Sequence, residues 1–159
     1  MPASAKASWP PISRIRKRKK PMKMLILDSY ALLCLFDKKR KAEKDAVMKY
    51  LEDAGRGKIK LYISKINEGE VFYKLYKYFG EEIATGFRAD LKRGMFPLHV
   101  VSVNDKRVDD ASVIKAKYPV SYADAFCIEL AKDMNLPVVT GDPEFASVRE
   151  LITVQPLVD

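Results

Sequence analysis

The sequence predicts an α/β domain built on a mainly parallel sheet of about five strands. Short apolar runs at residues 24–27, 60–64, 96–103, 137–141 and 151–154 read as buried strands. Stretches of helical periodicity separate most of them. Glycine, proline and capping residues fall at the joints between the two kinds of segment. Strands alternating with helices favour parallel pairing through crossover connections.

Residues 24–36 open the pattern. Leu25, Ile26 and Leu27 run straight into Asp28 and Ser29, and the apolar run then resumes as a helix. The basic run after Asp37 (Lys38, Lys39, Arg40, Lys41) reads as a solvated face, with an RNA-contacting patch as the sharper alternative. Over residues 42–54, Ala46, Val47, Tyr50, Leu51 and Ala54 recur at helical spacing, and Gly55 and Gly57 close that helix. Residues 60–64 form a second strand, and 66–79 a helix broken at Gly80. A further helix covers 81–92, closed by Gly94. Residues 96–103 are β-branched and apolar and make a third strand, with His99 read as a partly buried strand residue. Asn104 or Asp105 caps a helix reaching about Lys117, and Pro119 punctuates it. Another helix starts at Ser121 and ends near Asn135. Residues 137–141 form the fourth strand, Asp142 and Pro143 a helical entry, and 151–154 the last strand.

Composition narrows the chemistry. The 159 residues suffice for one domain with a real core, and 48% hydrophobic with 31% charged suits a soluble globular chain. No apolar run approaches the roughly 20 residues that span a bilayer. A single histidine leaves little material for a histidine metal site or a Ser-His triad. Cys34 and Cys127 lie in apolar helical contexts and read as buried free thiols. The net charge is +8, yet residues 1–23 hold eight of the 29 basic residues and no acid. The remaining 21 basic residues balance 21 acidic ones, so residues 24–159 are formally neutral. The first 23 residues lack hydrophobic periodicity and are expected to be a disordered basic extension without the apolar core of a secretory signal. They would be an electrostatic arm for nucleic acid, a targeting segment or a dispensable extension.

Four acids stand near strand ends or helix beginnings. Asp28 follows the first strand and Asp142 the fourth, so parallel strands would bring both to one edge of the sheet, where such folds bind ligands. Asp124 sits three residues after Ser121, a spacing that resembles a capping box. Glu70 lies among apolar neighbours, with Glu68 as its rival on another helix face. Each acid alone is equally a cap or a surface charge. Together, carboxylates gathered without cations repel one another, and a divalent ion offsets that. Oxygen ligands suit Mg²⁺ or Mn²⁺.

Four segments in order carry a resemblance: residues 25–33, 63–73, 122–126 and 139–145. They are similar to the PIN domain family and, within it, to the VapC-type ribonuclease toxins. The resemblance implies a PIN-like three-layer α/β/α fold over residues 24–159. It implies a catalytic and metal-binding quartet of Asp28, Glu70, Asp124 and Asp142, with Ser29 and Thr140 in support. The Asn-x-x-Glu spacing from Asn67 selects Glu70 over Glu68. Tyr30 departs from the pattern, standing where a small residue is usual.

The activity implied is Mg²⁺- or Mn²⁺-dependent cleavage of phosphodiester bonds in single-stranded RNA by a cytoplasmic toxin. A homodimer and a small antitoxin protein are the implied partners, with no membrane. A non-catalytic PIN-like module binding RNA or protein, and a housekeeping RNA-processing nuclease of the same fold, are the competing readings. A phosphatase would want a second acid two residues after Asp28, where Tyr30 stands. A receiver-type domain would want paired acids before the first strand's Asp and a late Lys, and neither is evident.

Overall fold

The computed structural model describes residues 21–159. Residues 1–20, most of the expected basic extension, lie outside the described residues. Five parallel strands form one sheet in the order β3-β2-β1-β4-β5. They are β1 (Lys23–Leu27), β2 (Ile59–Ser64), β3 (His99–Val101), β4 (Val138–Thr140) and β5 (Val154–Pro156). Helices α1 (Ser29–Leu33), α2 (Lys41–Gly55), α3 (Lys65–Phe79) and α4 (Glu81–Lys92) precede β3. Helices α5 (Asp105–Lys117) and α6 (Tyr122–Met134) follow it, and a 3-10 helix, Pro143–Val148, joins β4 to β5.

The three-layer α/β/α arrangement follows from the two-residue period of β1. Leu25 and Leu27 point into one core, which includes residues of α1 to α4. Ile26 points into the other, which includes residues of α5 and α6. Val139 and Val138 on β4 divide in the same way. A strand covered on both faces must be apolar throughout its middle, and Leu25, Ile26 and Leu27 are fully buried.

Two expected strands are displaced. The third spans only His99–Val101, and His99 is exposed rather than partly buried. β3 is an edge strand, so its outer side has no neighbour to cover it. The last strand begins at Val154, because Leu151 and Ile152 instead close the turn after the 3-10 helix through bonds to the Val148 carbonyl of 2.9 and 3.1 Å. Cys34 and Cys127 are buried free thiols. Among the described residues, no helix is long and apolar enough to cross a membrane.

The topology creates a crevice. From β1 the chain crosses to β2 on one side, and it later returns to place β4 on the other. The strand order therefore reverses beside β1, and the crevice beyond the carboxyl ends of β1 and β4 is where open α/β sheets hold ligands.

Candidate active site

Asp28 leaves β1 at that crevice and is 1% exposed. Its Oδ1 accepts the Ala31 N–H at 2.9 Å, capping α1. Its Oδ2 accepts the Thr140 hydroxyl from the end of β4. Burial pushes Asp28 up to about 7, against the pull of those two bonds, and the charges of Asp124 and Asp142 push the same way.

Asp142 enters from β4. Its N–H donates to Thr140 Oγ1 at 2.9 Å, and its Oδ1 caps the 3-10 helix by accepting the Glu144 N–H at 2.9 Å. Thr140 thus ties Asp28 and Asp142 together through one hydroxyl. Asp124 enters from α6, where it forms a capping box with Ser121 through contacts of 3.1 and 3.4 Å. Burial pushes Asp124 up to about 6, Ser121 pulls it down, and Glu144 and Asp142 raise it. The aspartates are therefore both caps and site acids. In Asp124 and Asp142 the cap occupies one carboxylate oxygen and leaves the other available, whereas in Asp28 Thr140 takes the second.

Glu70 reaches in from α3. Its Oε1 accepts the Ser29 hydroxyl and lies 3.3 Å from Lys74 Nζ. Glu68 turns to the α3–α4 groove, where Arg88 and Lys65 hold it at 2.7 and 2.6 Å. The buried Cys127 thiol, pushed well up by burial, also feels the charges of Asp28, Asp124 and Glu70.

Carboxylate oxygens of Asp124, Asp142 and Glu144 lie within 4.8 Å of one another. Asp28 and Glu70 stand outside that trio. Glu144 is the acid that sequence reasoning missed. Two residues from Asp142, it has the wrong spacing for a shared α-helical face. The Asp-Pro pair was the available signal, since it makes Asp142 an extended N-cap whose carboxylate folds back to accept the Glu144 N–H. Among the described residues, no Lys or Arg is ion-paired with Asp28, Asp124, Asp142 or Glu144. An all-oxygen set lacking cations fits a hard divalent ion. Cavities of about 450 and 440 Å³ lie elsewhere, against α3–α4–β3 and between α5 and α6. The site is placed at the acids because their charge is otherwise uncompensated, whereas Glu68 and Glu129 beside those cavities are already paired with arginines.

The sequence profile of the PIN domain matches residues 25–151. The chain belongs to the PIN domain family. No curated protein matches it in sequence. Among solved structures, this PIN domain is similar to a chain of the DNA-bound VapBC complex from Salmonella typhimurium, with TM-score 0.64 and 19% identity over 86% of this chain and 99% of that one. It is similar to a chain of a toxin–antitoxin complex from Klebsiella pneumoniae, with TM-score 0.62 and 18% identity over 85% and 98%. It is also similar to VapC20 of Mycobacterium tuberculosis, a sarcin-ricin loop cleaving toxin, with TM-score 0.62 and 15% identity over 78% and 94%. At such identities the likeness is one of fold.

Proposed function

We propose that this PIN domain is a metal-dependent endoribonuclease that cleaves single-stranded RNA as the toxin of a toxin–antitoxin pair. The observation that carries the reading is the cation-free acidic cluster of Asp124, Asp142 and Glu144 at the crevice, with buried Asp28 tied to Asp142 through Thr140. The family and the toxin neighbours support the same class.

Asp124, Asp142 and Glu144 would hold Mg²⁺ or Mn²⁺, with Asp28 and Glu70 completing the acidic wall. A bound divalent cation supplies Lewis-acid chemistry, acidifying water and neutralising phosphate charge. The Thr140 hydroxyl donates to the Asp28 carboxylate and accepts the Asp142 backbone N–H, and the Ser29 hydroxyl donates to Glu70. Any of these carboxylates not occupied as a ligand can accept a proton from water. Exposed Lys38, Lys39 and Arg40 attract the phosphate backbone without reading sequence. Residues 24–159 constitute the nuclease domain on this reading, and residues 1–23 an appended basic segment.

A cytoplasmic homodimer silenced by a small antitoxin protein completes the proposal. Several neighbours are toxin–antitoxin complexes. Exposed Tyr73, Tyr76, Tyr78 and Phe79 offer apolar area for such partners. The test is cleavage of a single-stranded RNA with Mn²⁺ and with EDTA, for the unchanged chain and for Asp28→Asn. Mn²⁺-dependent cleavage that Asp28→Asn loses is the expected result. RNA binding without cleavage in any metal would instead favour a non-catalytic PIN module.

A further inference from the structure

Tyr30 does not project into open space. A Cβ placed on Gly141 would sit 2.7 Å from Tyr30 Cε1 and 3.4 Å from its hydroxyl oxygen. The ring is therefore packed against the backbone of Gly141, the residue between Thr140 and Asp142. Any side chain at position 141 would drive the ring away. On its other contact, the Tyr30 hydroxyl accepts a hydrogen bond from Arg40 Nη1, and the Arg40 guanidinium carbon stands 5.1 Å from the ring centroid. One aromatic ring thus links the loop carrying Asp142 to a cation at the start of α2.

Arg40 is suited to more than a surface ion pair. Its Nε lies 3.3 Å from Asp37 and its Nη1 3.5 Å from Glu43. The Arg40 side chain is 44% exposed, and Nη2 has no partner among the described residues. Exposed pairs of this kind are weak and yield readily to a stronger anion. By contrast, Arg107 is 17% exposed and saturated by Glu129 and Asp133. A planar guanidinium with free N–H groups recognises phosphate.

We infer that Tyr30 and Arg40 form a phosphate grip, in which Tyr30, seated on Gly141, holds Arg40 at the mouth of the acidic crevice to bind the RNA backbone beside the cleaved bond. The inference rests on the RNA-directed reading above and goes beyond it. It turns the one residue that departs from the family pattern into a positioning residue, and it assigns Arg40 a defined contact rather than a diffuse charge. Tyr30 touches Arg40 and Gly141; Arg40 touches the substrate.

The experiment measures binding of a fluorescent oligouridylate to the full chain in EDTA, so that cleavage does not intervene. Arg40→Ala is expected to weaken binding about tenfold, as for the loss of one charged hydrogen bond. The slope of log affinity against log salt should become shallower by about 0.7, the value for one single-strand phosphate contact. Arg40→Lys should keep the salt slope while losing about threefold in affinity, because a point charge replaces the planar fork. Tyr30→Phe keeps the ring and removes the hydroxyl. It should weaken binding by about threefold alone and add nothing to Arg40→Ala, the signature of two groups acting as one. Where the chain cleaves RNA, Arg40→Ala should raise KM and leave kcat within about twofold.

Unchanged affinity and salt slope in Arg40→Ala overturn the inference. Full additivity of Tyr30→Phe and Arg40→Ala overturns the Tyr30 role. A wild-type chain that binds no oligouridylate overturns the grip outright. A chain that binds it through Arg40 but cleaves nothing overturns the nuclease reading and supports the grip.

Discussion

Two buried carboxylates show how this fold separates structural from functional charge. Glu68 and Asp28 are each 1% exposed, so burial does not distinguish them. Their partners do. Burial pushes Glu68 up, but hydrogen bonds and charge from Arg88 and Lys65 outweigh it and leave the carboxyl below its ordinary value. Arg88 is itself braced over the Phe72 ring at 3.6 Å. Asp28 has a hydroxyl and an amide for partners and no cation, and it is pushed up to about 7. An acid that a fold buries for its own support comes with its counter-charge. An acid buried without one stores repulsion that an incoming cation can relieve.

Asp28 carries the largest expected effect. Asp28→Asn should reduce Mn²⁺-dependent RNA cleavage by more than about 100-fold while leaving circular dichroism unchanged. At pH 8, where Asp28 is mostly ionised, the same variant should raise the melting temperature of the metal-free chain, since a neutral isostere replaces a buried charge. Wild-type cleavage by Asp28→Asn would erase the distinction between the two acids.

Glu68→Gln should do the reverse. It weakens the charged hydrogen bonds from Arg88 and Lys65, both of which keep access to water, and should cost about 1.5 kcal/mol in urea unfolding. Cleavage per folded molecule should stay within twofold. A loss of activity without loss of stability would place Glu68 in the site.

The pH dependence sharpens the contrast more gently. Asp28 and Asp124 have folded values of about 7 and about 6, both above the ordinary aspartate value near 3.9. Folding therefore raises their proton affinity, and their contribution is complete at acid pH and lost as pH rises through 6 and 7. The metal-free chain should thus lose stability between about pH 4 and pH 7 in thermal melts. Saturating Mn²⁺ at pH 7.5 should restore several degrees, and Asp142→Asn should diminish that gain. A metal-free melt that is flat with pH in this window would refute the uncompensated charge.

The smallest effect is expected at Thr140. Thr140→Val removes the hydroxyl that joins Asp28 to Asp142 and should reduce cleavage about tenfold. Binding of the oligouridylate in EDTA should be unaffected.

The sequence alone determined the alternation of strands and helices, the apolar centre of β1 and the caps at Asp28 and Ser121, and it narrowed the α5 cap to Asn104 or Asp105. Those features depend on residues within a turn or two of one another, where side-chain period and capping chemistry act directly. It also placed Asp28 and Asp142 at strand ends, because a strand that stops at an acid is visible locally.

The tertiary structure decided which groups meet. Thr140 reaches Asp28 across 112 residues, and Ser29 reaches Glu70 across 41. Glu68 turns to Arg88, Glu144 joins Asp124, and Tyr30 lies on Gly141. The exposure of His99 and the late start of β5 belong here too, since an edge position and a closing turn are properties of the assembled sheet. Hydrophobic periodicity says which face of a segment is buried, but not which segment lies beside it. Strand order supplies that neighbour, and only the packing of both layers against β1 sets it.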